Sequence, residues 1–84
     1  MRYIIVVFSL RNDTLAFYNT VKTKVGFCSI INTPHSLSRS CGISVKIPAS
    51  GVELSRRIAS RMSSFKGIYE INNQSNRSQP TRIY

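Results

Sequence analysis

The sequence predicts an α+β fold, a ferredoxin-like βαββαβ two-layer sandwich with a four-stranded antiparallel sheet, and three observations predict it. The chain opens on a run of β-branched and aromatic residues without helical spacing, Tyr3-Ile4-Ile5-Val6-Val7-Phe8. Two segments with helical patterning follow, each set between strand-like stretches. At 84 residues the chain sits near the lower size limit for a self-sufficient core, so one domain over residues 1–71 is expected. Right-handed crossovers at both helical connections then lead to the split βαβ sandwich, with the first and third strands central and both helices on one face.

Each element has its own signal. Residues 2–9 form the first strand, apolar enough to be covered on both faces. Asn12 and Asp13 offer N-cap oxygens to a helix over Thr14 to Lys24, which lacks Gly and Pro and ends with Lys22, Lys24 and Gly26. Phe27 to Asn32 returns to strand composition until Thr33-Pro34 breaks it. In the third strand Ile43, Val45 and Ile47 alternate with Ser44 and Lys46, and Pro48 closes it. Ser50 and Glu53 match a capping box at the start of a second helix. Leu54, Ile58 and Met62 fall on one face of that helix, and Arg56, Arg57 and Arg61 project elsewhere as a solvated face. Phe65 to Ile71 is the fourth strand. Residues 72–84 are too polar to bury a surface and are expected to be a disordered tail.

Composition narrows the function. Twelve Lys and Arg residues face three carboxylates, a formal charge of +9. Such a balance attracts nucleic acid or an acidic protein partner, and it bears on association rather than on a specific chemistry. The one apolar N-terminal run lacks the length of a membrane span and the cleavage site of a signal peptide, so a cytoplasmic location, where thiols stay reduced, is expected. Two cysteines and one histidine do not supply the four ligands of a structural zinc site. The carboxylates are scattered, and no group is visible that would orient a histidine for hydrolysis. A sheet that reads nucleic acid would expose aromatics among basic residues. Tyr3 and Tyr69 are candidates, but no RNP1-type motif accompanies them.

The segment from Asn32 to Gly42 gathers the single histidine, one cysteine and a cluster of hydroxyls in a loop between two strands, where function tends to collect. Cys41 stands at its end, followed by Gly42, with His35 and Arg39 available to stabilise a thiolate. On residues alone, Cys41 fits either a reactive thiol or the commoner small residue filling a sheet edge. Cys28, inside an apolar strand, fits the second reading better. Likewise, His35 alone fits a loop hydrogen-bonding residue better than a base. If the second and third strands pair as a hairpin, Cys28 faces Lys46 and Cys41 faces Thr33, about 16 Å apart along the strand. A disulfide spans at most roughly 7 Å between Cα atoms, so no bridge is expected within one chain.

Thr33-Pro34, Ser40-Cys41-Gly42-Ile43 and Gly67-Ile68-Tyr69-Glu70-Ile71 resemble the DUF3343 family of Se/S carrier-like proteins, over about Tyr3 to Ile71. His35 stands where that family's segment has arginine, and Arg39 where serine is usual. The resemblance implies that Cys41 carries sulfur or selenium as a persulfide or selenosulfide, received from a donor protein and passed to an acceptor. Ser40 and the Gly42 amide would shape the site, and Arg39 and His35 would supply positive potential. Such a carrier is not a turnover enzyme and needs no cofactor. A non-catalytic basic module that binds nucleic acid or an acidic protein is the alternative. The apolar second face of the first strand is also compatible with a homodimer.

Overall fold

Tyr3 to Phe8 occupy the middle of the molecule because no other segment offers so many consecutive apolar side chains. In the computed structural model, which describes residues 2–34, 37, 41–72 and 81–84, Arg2–Phe8 is strand β1. It is followed by helix α1 (Arg11–Val21), strands β2 (Ser29–Asn32) and β3 (Ile43–Pro48) and a 3-10 turn at Ala49–Gly51. Helix α2 (Val52–Ala59) and strands β4 (Phe65–Asn72) and β5 (Thr81–Arg82) complete the chain. The sheet order is β2-β3-β1-β4-β5, and every pairing is antiparallel.

The α+β class with an antiparallel sheet and two helices is as expected, but the expected four strands are corrected to five. The fifth lies in the segment assigned to the tail. Thr81 and Arg82 pair with Glu70 and Tyr69, and beyond them the Ile83 amide donates to the Ile68 carbonyl at 2.8 Å. The Ile68 amide in turn donates to the Tyr84 carbonyl at 3.1 Å. Two exposed polar residues carry no apolar period, so main-chain pairing with β4 defines this strand. Residues 73–80, the rest of the expected tail, lie outside the described residues.

Alternation along β1 decides the layers. Ile4, Val6 and Phe8 join Phe17 and Val21 of α1, Val45 and Ile47 of β3, Ala59 of α2 and Ile68 of β4 in one buried cluster. Both helices therefore cover the same face of the sheet. Phe8 sits at 5.2 Å from the Phe17 ring and 6.0 Å from the Phe65 ring, both tilted, the arrangement aromatic quadrupoles favour. On the other face Ile5 lies between Lys46 and Tyr69 and is fully buried, and Val7 is 3% exposed. The second apolar face of β1 thus needs no second copy of the chain to cover it.

Both helix starts differ from expectation, because their carboxylates find other partners. Helix α1 begins at Arg11, with Leu10 at the N-cap and no side-chain cap. The Asp13 carboxylate instead accepts from Ser64, whose hydroxyl donates at 2.6 Å and whose amide donates at 3.3 Å. Helix α2 follows the 3-10 turn with Gly51 at the N-cap, and the Ser50–Glu53 capping box does not form. Glu53 accepts from Arg56 at 3.1 Å and from the Tyr84 hydroxyl at 3.3 Å, and Arg56 first of all holds its carboxyl below the usual range. Asp13 is taken by a residue 51 positions away, and Glu53 by Arg56 one turn along the same helix and by Tyr84.

Helix α1 ends at Val21, whose carbonyl takes the amides of Lys24 and Val25, so Lys22 and Lys24 fall beyond the last turn. Gly26 has no positive φ and is not the stop signal expected of it. On α2, Ser55 and Ala59 are buried and Val52 and Ile58 pack on the core, while Leu54 stands outside it; Met62, expected on the same face, packs on the core from beyond the helix end. Arg56, Arg57 and Arg61 are exposed as expected. Among the described residues no helix is long and apolar enough to cross a membrane.

Two substitutions test this architecture. Phe17→Ala removes a fully buried ring and should lower the free energy of unfolding by about 3–5 kcal/mol, read by chemical denaturation. Gly67 has φ +154°, and a Cβ there would stand 3.0 Å from the Tyr84 carbonyl oxygen. Gly67→Ala should cost about 1–3 kcal/mol locally and detach β5, so that the Ile83 amide exchanges faster while the β1 amides keep their protection.

Candidate functional site

Cys41 is placed by main chain from three directions. Its own amide donates to the Phe8 carbonyl at 3.1 Å, extending the β1–β3 pairing by an irregular step. Gly42 follows with φ +100°, a conformation that a side chain strains, although a Cβ there would meet nothing within 4 Å. Backbone geometry rather than crowding therefore calls for glycine at this position. The Gly42 carbonyl accepts the Thr33 amide at 3.0 Å, and the Thr33 and Ser44 hydroxyls are 2.6 Å apart. The Thr33-Pro34 end of the loop is thereby clamped to its Cys41-Gly42 end, with the Leu37 amide donating to the Pro34 carbonyl at 2.9 Å.

The half-buried Cys41 thiol points at the first turn of α1. Its Sγ lies 3.3 Å from Thr14 Oγ1 and 3.6 Å from the Ile43 carbonyl. The first amides of a helix lack intrahelical acceptors, so this end of α1 carries partial positive charge. Thr14 is fully buried, and its hydroxyl also reaches the Leu10 carbonyl at 3.2 Å.

Of the residues singled out in the sequence, the structure places Cys41 and Gly42 together; His35, Arg39 and Ser40 lie outside the described residues. Thr14 is the residue the sequence did not point to. It stands 27 positions before Cys41 and reads there as an ordinary helical residue, and only the packing of α1 on β1 and β3 brings it to the thiol. A buried hydroxyl one turn into an otherwise apolar helix face is the signal that could have marked it.

Cys28 occupies a different setting. It packs against the core cluster and also lines a shallow cavity of about 310 Å³ with Tyr3, Gly26, Phe27, Ser29 and Lys46. Lys46 lies over the Tyr3 ring there, at 4.3 Å. This is the opposite end of β1 and β3 from Cys41. Ser29, not Cys28, faces Lys46, and the Thr33 amide meets Gly42 rather than Cys41, so the pairing is shifted by one residue from expectation. The separation survives the shift, and both cysteines are free. Among the described residues no three His, Cys, Asp or Glu side chains converge as metal ligands.

Burial pushes the Cys28 thiol above its ordinary value, and Lys22 offsets only part of the rise. Because only the thiolate alkylates, Cys28 should begin to react at a higher pH than a free thiol. Following alkylation of a Cys41→Ser variant from neutral to strongly alkaline pH, with peptide mass mapping, checks this.

A family model matches residues 3–70, and the chain belongs to that family, described as "Putative Se/S carrier protein-like". Searches of the curated proteins and of the solved structures return no match.

Proposed function

Proceeding from that membership, we propose that the protein carries sulfur or selenium on Cys41, as a persulfide or selenosulfide, between a donor and an acceptor protein. The observation that carries this reading is the position of the thiol. It is half-buried where the loop enters β3, its backbone is pinned to Phe8, and its Sγ faces the first turn of α1. A ferredoxin-like sandwich with β5 added at the β4 edge is the architecture that fits the strand order, with both helices on one face.

The transfer balances without an external oxidant or reductant. The Cys41 thiolate attacks the outer sulfur of a donor persulfide, and a bond forms between Sγ and that sulfur. The bond joining the outer sulfur to the donor's own sulfur breaks, and the donor leaves as a thiolate that takes up the proton Cys41 released. The transferred atom keeps its oxidation state, and a selenium atom follows the same path. An acceptor thiolate then attacks the carried atom and restores Cys41. In this reading Ser40 and the Gly42 amide shape the site, Arg39 and His35 supply positive potential, and no cofactor takes part.

The charge of +9 serves docking to an acidic face of the partner, which speeds encounter. Glu53 pairs with Arg56 and also feels the charge of Arg57, whereas Arg61 and Lys66 stand exposed with no ion pair among the described residues. That observation favours a second reading, a binding module for nucleic acid or an acidic protein; its mark would be an affinity for nucleic acid that falls steeply with salt. Cytoplasmic reducing conditions suit the carrier, since they keep Cys41 free to receive the atom.

A low-molecular-weight persulfide donor tests the carrier reading directly. The Cys28→Ser protein should gain the mass of one sulfur, removable by a reducing thiol, and Cys41→Ser should gain none. Equal loading of both variants, or no loading of either, overturns the reading.

A further inference from the structure

We propose that Thr14 is the positioning residue of Cys41, giving its one hydroxyl proton to the Leu10 carbonyl while Cys41 is a thiol and to Sγ once the thiol ionises. The proposal deepens the carrier reading and rests on it for its biological meaning.

The geometry defines the choice. Thr14 Oγ1 stands 3.2 Å from the Leu10 carbonyl oxygen and 3.3 Å from Cys41 Sγ. A hydroxyl has a single proton to donate and lone pairs to accept with. While Cys41 is protonated, its S–H serves as donor, to Thr14 Oγ1 or to the Ile43 carbonyl at 3.6 Å, and the Thr14 proton stays on Leu10. A thiolate has nothing to donate. The hydroxyl then turns, and its O–H to the sulfur anion is a charge-assisted bond, stronger than the neutral one it leaves.

Little opposes the turn. The Leu10 carbonyl keeps the Thr14 amide, at 3.1 Å, so losing the hydroxyl leaves no buried acceptor empty. Thr14 is fully buried, so a water molecule does not readily replace its hydroxyl if that group is removed. The charged residues of the α1 first turn are Arg11 and Asp13, and Asp13 is bound to Ser64. Phe8 at the end of β1, Ser9 after it and Ile43 at the start of β3 carry no charge, and His35 and Arg39 lie outside the described residues. Thr14 is thus the side chain whose polar atom meets Sγ in these contacts.

The experiment compares Thr14→Val, Thr14→Ser and Thr14→Ala in a Cys28→Ser background, measuring the rate of Cys41 alkylation by iodoacetamide across pH. Thr14→Val keeps the β-branched shape and loses only the hydroxyl. At neutral pH it should react about tenfold more slowly than the parent, with the midpoint of its pH profile moved up by about one unit and its alkaline plateau retained. Thr14→Ser should restore the parent profile, and Thr14→Ala should follow Val. A Val profile that coincides with the parent overturns the proposal, as does a Ser profile displaced as far as Val, which would trace the effect to packing. If Val does not fold, the Ser and Ala profiles decide alone. Alkylation needs no sulfur donor, so the protein could fail to load sulfur and still show the Thr14 dependence, which separates the two readings.

Discussion

The structure depends most on the placement of Phe8. Its ring holds the core together between Phe17 and Phe65, while its carbonyl takes the Cys41 amide. The next residue, Ser9, donates its amide to the Ser64 carbonyl at 2.9 Å, and Ser64 in turn holds Asp13. Core, thiol, α1 and the turn leading from α2 into β4 therefore meet at the end of one strand. In so small a domain a side chain that fills the centre also sets the position of the surface group one bond away, because close packing transmits displacement.

The two cysteines occupy different surroundings. A cavity of about 310 Å³ lies at the far end of β1 and β3, beside Cys28, whose thiol is harder to ionise. Cys41 lies instead where the loop enters β3, its Sγ beside the first turn of α1 and the Thr14 hydroxyl. Sulfur transfer between proteins needs an accessible atom and a thiolate, and neither requirement calls for a deep pocket. The loop clamp from Thr33 to Gly42 keeps that atom at a defined place on a rigid sheet.

Elements built on apolar period were legible from the residues. The Tyr3 to Phe8 run and the Ile43, Val45, Ile47 alternation mark β1 and β3 because burial of consecutive or alternate side chains is what makes those strands interior. Caps were not legible. Asp13 and Ser50-Glu53 carry the right residues for local capping, but Asp13 found Ser64, 51 positions away, and Glu53 found Arg56 and Tyr84. A carboxylate near a helix start is offered several donors, and the cap loses to a distant residue that presents two at once, as Ser64 does, or to a cation one turn along the helix, as Arg56 does. At the candidate site, Cys41 and Gly42 drew attention through the loop composition and the family segment, whereas Thr14 did not, because only the packing of α1 brings it to the thiol.

By itself the sequence determined the α+β class, the central strand and the family, since each rests on residue type or on short-range period. The tertiary structure decided the fifth strand, which main-chain bonds to β4 hold despite its two exposed polar residues. It also decided the true helix caps and the hydroxyl at the thiol. These depend on which atoms come within about 3 Å of each other, a distance fixed only when α1 is packed across β1 and β3.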